Sequence, residues 1–178
     1  TVGQAAAAQP RLVRRMRDEG HVIGVHTWSH RDLAGLSPSR ITDQIARARH
    51  AVSAATGASP RLLRPPYDRL DENVRAVAQR LDLPIVGWSA DAGDLREDDP
   101  RRIAARVVAG ARDGAIIRLH DTRKAAVAAV PYILDELAKR GIVPVTVPEL
   151  YGSRPMLGGQ VHDSGKPSRP NPYGRLLP

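Results

Sequence analysis

Apolar residues recur along the chain in two alternating rhythms. One has helical spacing: Leu12, Val13 and Met16 share a face of "QPRLVRRMRDEG", and Ile41, Ile45 and Val52 lie near one stripe of "SPSRITDQIARARHAVSAATG". The other is a short apolar run, as in "HVIGVH", "RLLR", "LPIVGWS", "AIIRLH" and "IVPVTV", which reads as a strand. The helices are punctuated. Pro10 suits a first turn and Gly20 ends that segment. Ser37 is placed to cap the next helix, Pro38 fits its first position, and Gly57 stops it. "DENVRAVAQRL", "DPRRIAARVVAGARDG" and "PYILDELAKRG" read as further helices. "RPPY" is a rigid turn, and Pro144 confines "IVPVTV" to an edge because it cannot donate to a ladder.

Strand and helix thus alternate about five times, the pattern of parallel βαβ units. The predicted class is α/β, either a (β/α) barrel or a doubly wound sheet. From residue 152 the sequence turns rich in Gly, Pro and Ser without period. The expectation is one domain over residues 1–151 and a disordered basic tail over 152–178. No internal repeat is visible.

Composition narrows the picture. A chain of 178 residues, 42% hydrophobic, can bury a core, but with 3% aromatics and no Phe that core must be Ala, Val, Leu and Ile. No apolar run approaches the ~20 residues of a transmembrane segment. The start, "TVGQAAAAQP", has no signal-peptide pattern, and its opening Thr is that of a processed or partial chain. The absence of Cys excludes disulfides and thiolate metal sites. The formal charge is +8, but Arg is mixed with Asp and Glu along helices. These read as solvated faces, and no nucleic-acid partner is expected.

The reactive residues fall at the ends of the predicted strands. His26 and His30 follow the first, Arg64 the second, and Asp91 and Asp94 the third; His120 and Asp121 close the fourth. In parallel α/β architectures such ends gather on one rim, where sites form. Two imidazoles can hold a Zn²⁺-like ion, with a carboxylate commonly completing the set. A third histidine can protonate a leaving amine, with an Asp to orient it. Together these residue types point to metal-assisted hydrolysis of an amide or ester. Each piece alone has a bland reading: a chance HxxxH, a stiff turn, a capping loop, a half-buried His.

In this order and at these distances, "HTWSH", "RPPY", "WSADAGDL" and "IIRLHD" resemble the polysaccharide deacetylases with a NodB homology domain, carbohydrate esterase family 4. The flanking "LVRRMRDEGHVIG" and "VPVTVPEL" agree, so the resemblance covers about residues 1–151. It implies a distorted (β/α) barrel and hydrolytic removal of acetyl groups from an N-acetylated polysaccharide or oligosaccharide: peptidoglycan, chitin-like or exopolysaccharide. It implies a divalent metal cofactor, zinc by preference, held by His26 and His30. Arg64 would position the carboxylate base, Tyr67 would lend its backbone N–H to an oxyanion hole, and Leu119 would line the acetyl pocket. His120 would be the general acid, partnered by Asp94. It also implies a secreted or cell-surface location.

Three departures accompany the resemblance. Asp68 stands where the family usually has Gly, and Leu95 where it often has Trp. The family's first motif, which supplies the base and the carboxylate metal ligand, would lie upstream of Thr1. The barrel is therefore expected to be incomplete at its N-terminal strand, and acetate release from this chain weak or absent. Two other readings stay open: a non-catalytic carbohydrate-binding remnant, and a binder of anionic surfaces.

Overall fold

The computed structural model describes residues 1–165 and the backbone of residues 175–177. In chain order the elements are α1 (Gly3–Ala8), α2 (Pro10–Asp18), α3 (Pro38–Thr56), a 3₁₀ turn (Pro66–Asp68), α4 (Glu72–Arg80), β1 (Ile85–Val86) and β2 (Ala90–Asp91). Then come α5 (Pro100–Gly110), β3 (Ile117–Arg118), α6 (Lys124–Lys139), β4 (Ile142–Pro144), α7 (Val147–Tyr151), β5 (Val161–His162) and β6 (Arg175–Leu177). They form two compact units. One comprises Thr1–Gly87 with Pro155–His162; the other comprises Trp88–Arg154 and, among the described residues, those from Asp163 onward.

In the first unit, α3 opens at Pro38, and Gly57 takes the left-handed φ of 74° that stops it; Ser37 stands at the N-cap position, but its side chain makes no capping bond and its hydroxyl meets Ser39 Oγ instead. Asp71 caps α4 by accepting the Val74 N–H. The core joins Ile41 and Ile45 of α3, Val74 and Val77 of α4, and Val25, Leu33, Leu63, Leu83 and Ile85. Leu12 departs from the expected face of α2, being 50% exposed while Val13 is buried. α1 was not foreseen; its run of alanines has the highest helix propensity of any residue type.

Two expected strands shrink here to single bridges. Val25 pairs with Leu63, and Leu63 with Ile85, both parallel. The stagger of a parallel ladder is nonetheless present: Val25 N–H donates to Leu62 O at 2.8 Å, Arg64 N–H to Val25 O at 2.9 Å, and Val86 N–H to Leu63 O at 2.8 Å. The pairing continues from β1 to β5, Ile85 with Val161 and Val86 with His162.

In the second unit, β2 pairs in parallel with β3 and β4 with β6. Ile103, Ala104, Val107 and Val108 of α5 pack with Ala129, Ile133 and Leu137 of α6. α6 starts at Lys124, well before the expected "PYILDELAKRG", and Pro131 lies inside it. Pro131 has no N–H for the Val127 carbonyl, and the alanine-rich turns ahead of it carry the helix through that loss. α7, also unforeseen, opens on a capping box between Thr146 and Glu149.

The disordered segment expected from residue 152 is corrected for residues 152–165 and for residues 175–177, which form β6. β5 lies in it, Gly159 N–H donates to Leu83 O at 3.0 Å, and Tyr151 Oη donates to Ser164 O at 2.8 Å. Its glycines serve close approach: a Cβ on Gly159, whose φ is +76°, would stand 2.7 Å from Arg75 O. The rest of that expectation falls on residues 166–174 and 178, outside the described residues. No helix among the described residues is long and apolar enough to cross a membrane.

Candidate functional site

The "HTWSH" loop is tied to two helices of the first unit. The first N–H groups of α1 donate back to it, Gly3 to Thr27 O and Gln4 to Trp28 O, both at 2.9 Å. These are groups a helix start leaves without intrahelical partners. From α3, the Arg47 guanidinium lies 4.3 Å from the Trp28 ring centroid, and Gln44 Oε1 accepts the Ser29 N–H at 3.1 Å. Thr27 and His30 adopt left-handed φ values of 63° and 56°. Non-glycine residues pay for that conformation, and these anchors hold them in it.

The loop brings the two imidazoles together, with ring centroids 4.8 Å apart and planes at 73°. His26 Nδ1 lies 2.5 Å from Arg64 O. A carbonyl only accepts, so Nδ1 carries the proton and Nε2 keeps its lone pair. Burial holds the His26 pKa at about 4, against the raising effect of the Arg64 carbonyl and with help from the neighbouring positive charges. The ring is thus neutral near pH 7, the state in which it can ligate a metal. His30 Nδ1 lies 3.2 Å from Tyr67 Oη.

Both partners come from the "RPPY" turn. Arg64 also donates from Nη1 to Gly87 O at 3.2 Å and from Nη2 to Asp68 Oδ1 at 3.1 Å. Tyr67 and Asp68 are left-handed, at φ 58° and 53°. Asp68 therefore sits in the very conformation for which glycine is suited, and its carboxylate faces the arginine expected to position a base. The donor set fits a nitrogen-preferring divalent ion at two of its positions. Among the described residues, no third His, Asp or Glu joins the pair in a group able to hold a metal.

The second unit carries the other cluster. Asp94 is fully buried, and both of its carboxylate oxygens meet His120. It accepts the His120 backbone N–H at 2.8 Å and His120 Nδ1 at 3.0 Å. The imidazole proton is thereby drawn to Nδ1, leaving Nε2 of the 32% exposed His120 side chain as its outward nitrogen. Leu119 packs partly buried against the core of this unit. Leu95 is exposed.

Sequence reasoning missed Arg118. It is directly in register with Asp91 across β2 and β3, forms a short ion pair with it, and stacks over Trp88 at 3.9 Å. Burial works against the Asp91 carboxylate, yet the Gly93 N–H and Arg118 outweigh it and hold its pKa below the usual range. An arginine inside the apolar run "AIIRLH" was the visible signal, since a strand buries a charge only beside a partner.

Known proteins resemble this chain along most of its length. The model of the polysaccharide deacetylase family matches residues 1–86. The peptidoglycan-N-acetylglucosamine deacetylase PgdA of Listeria monocytogenes is 36% identical over 91% of this chain, and the chain spans 34% of that relative's length. A family 4 acetyl xylan esterase from Clostridium thermocellum, solved with a cobalt ion, superposes with a TM-score of 0.84 at 31% identity, covering 92% of this chain and 82% of the other. The α/β fold is therefore of the NodB type. The chitooligosaccharide deacetylase of Bradyrhizobium is 34% identical over 84% of this chain and 75% of its own length, and on that likeness the chain belongs to the polysaccharide deacetylase family.

Proposed function

We propose that this chain is the hydrolase domain of a metal-dependent polysaccharide deacetylase, cleaving the N-acetyl amide of an N-acetylated sugar to a free amine and acetate. The observation that carries this reading is the Asp94–His120 pair: a buried carboxylate orienting a half-buried imidazole, as a general acid requires. His26 and His30 are the histidine ligands of a divalent ion, zinc by preference. When bound, such an ion polarises the acetyl carbonyl and its attacking water.

The chain's own groups take the remaining parts. His120, held by Asp94, delivers a proton to the leaving nitrogen. The Tyr67 N–H, presented by a left-handed turn, stabilises the developing oxyanion. Leu119 contacts the acetyl methyl. Arg64 holds a carboxylate, and Asp68 is the one it meets here. The relatives named as peptidoglycan deacetylases support a wall polymer as substrate and a working place outside the membrane.

With two imidazoles and no carboxylate grouped beside them among the described residues, acetate release by these 178 residues alone is weak. The test is acetate release from an N-acetylglucosamine oligomer with zinc added, beside His30→Ala and His120→Ala. Release that both substitutions abolish supports the reading; release that neither changes overturns it. A second reading, sugar binding without turnover, is favoured by the Arg64–Asp68 pair, which engages the arginine that would hold a base. Calorimetric binding of the same oligomer without acetate release would select it.

A further inference from the structure

The "RPPY" turn stands behind both histidines, and it reaches them in different ways. Arg64 uses its backbone carbonyl on His26, while Tyr67 uses its side-chain hydroxyl on His30. The Tyr67 ring meets the His30 ring edge-on, with centroids 5.0 Å apart and planes at 76°. Both residues are left-handed, and that shared backbone conformation brings the two side chains together. Tyr67 is 62% exposed, so its own O–H has solvent to donate to, and its oxygen lone pairs remain for the imidazole.

A neutral imidazole carries one proton. On Nε2 it would block the nitrogen opposite Tyr67; on Nδ1 it leaves that nitrogen open. We propose that the Tyr67 hydroxyl is a positioning group that accepts the Nδ1–H of His30, fixing the tautomer whose Nε2 lone pair faces outward. The turn then presets both imidazoles in the same tautomer, one through main chain and one through side chain. This rests on the reading of His26 and His30 as metal ligands. Outer hydrogen bonds of this kind orient ligating histidines, and losing one costs about 10- to 100-fold in metal affinity.

The test is Tyr67→Phe, which keeps the ring contact and removes the hydroxyl. Long-range ¹H–¹⁵N correlation spectra of metal-free protein, in mildly alkaline solution where imidazoles are neutral, report each tautomer. In the unsubstituted chain both histidines should carry the proton on Nδ1. In Tyr67→Phe, His30 should shift toward the Nε2–H form while His26, still held by the Arg64 carbonyl, does not move. Zinc affinity, by competition with a chromogenic chelator, should fall about 10-fold or more. A His30 tautomer that is Nε2–H from the outset, or unchanged by the substitution, overturns the proposal. Zinc affinity that is equal in the unsubstituted chain and in His30→Ala would instead defeat the metal reading, and the spectra would still decide the tautomer.

Discussion

His26 is held by burial and by the Arg64 carbonyl, and its protonation has a signed consequence. The unfolded chain binds this proton near pH 6.5, the folded chain only near pH 4. Acid therefore favours the unfolded state, and stability present above pH 6.5 is lost as the pH falls toward about 4, by at most about 1.4 kcal/mol per pH unit. Urea unfolding of metal-free protein across that range should show the loss, and His26→Gln should flatten it. At Asp94 the expected effect is kinetic: Asp94→Asn keeps the shape but no longer supports a charged His120, and kcat should fall about 10²- to 10⁴-fold. At this scale the sequence was most informative, because imidazoles and carboxylates near a strand end announce their chemistry by type. The Asp91–Arg118 pair was half readable: the arginine stood out in its apolar run, but its partner depends on which residues of two short strands stand side by side.

Among the elements, helices were legible through their punctuation, and strands were not. Prolines at α2, α3 and α5 mark starts, and Gly57 marks a stop. α6 runs on ahead of Pro131, a residue type that marks helix starts, and α7 has five residues, too few for an apolar period to show. The strands consist of two or three residues each, too few for any period to show. Leu63 illustrates how much a single position then carries, bridging Val25 on one side and Ile85 on the other while fully buried. Leu63→Ala should cost about 2–5 kcal/mol in chemical denaturation. The "RPPY" turn begins at the next residue, so zinc affinity should weaken in the same variant.

At the level of the whole molecule, the alternation of the sequence pointed correctly to parallel α/β architecture, but the expected domain end at residue 151 did not anticipate the return of the chain. Residues 155–162 belong with the first unit, where β5 pairs with β1. A chain ending at residue 151 should therefore lose amide protection at Ile85 and Gly87, whose N–H groups donate to Gln160 O and His162 O. Hydrogen exchange on that shortened chain would measure it, and unchanged protection would show the pairing to be dispensable.

The same return sets an order of events during synthesis. Helices α1 to α4 and the histidine loop are translated before β5, so the strand beside them waits for a partner encoded after the whole stretch from Trp88 to Arg154. Closing so long a loop is slow, and until it closes the edge of β1 is open to other chains. The unit that carries both paired imidazoles is thus completed only after the other unit's helices have been made.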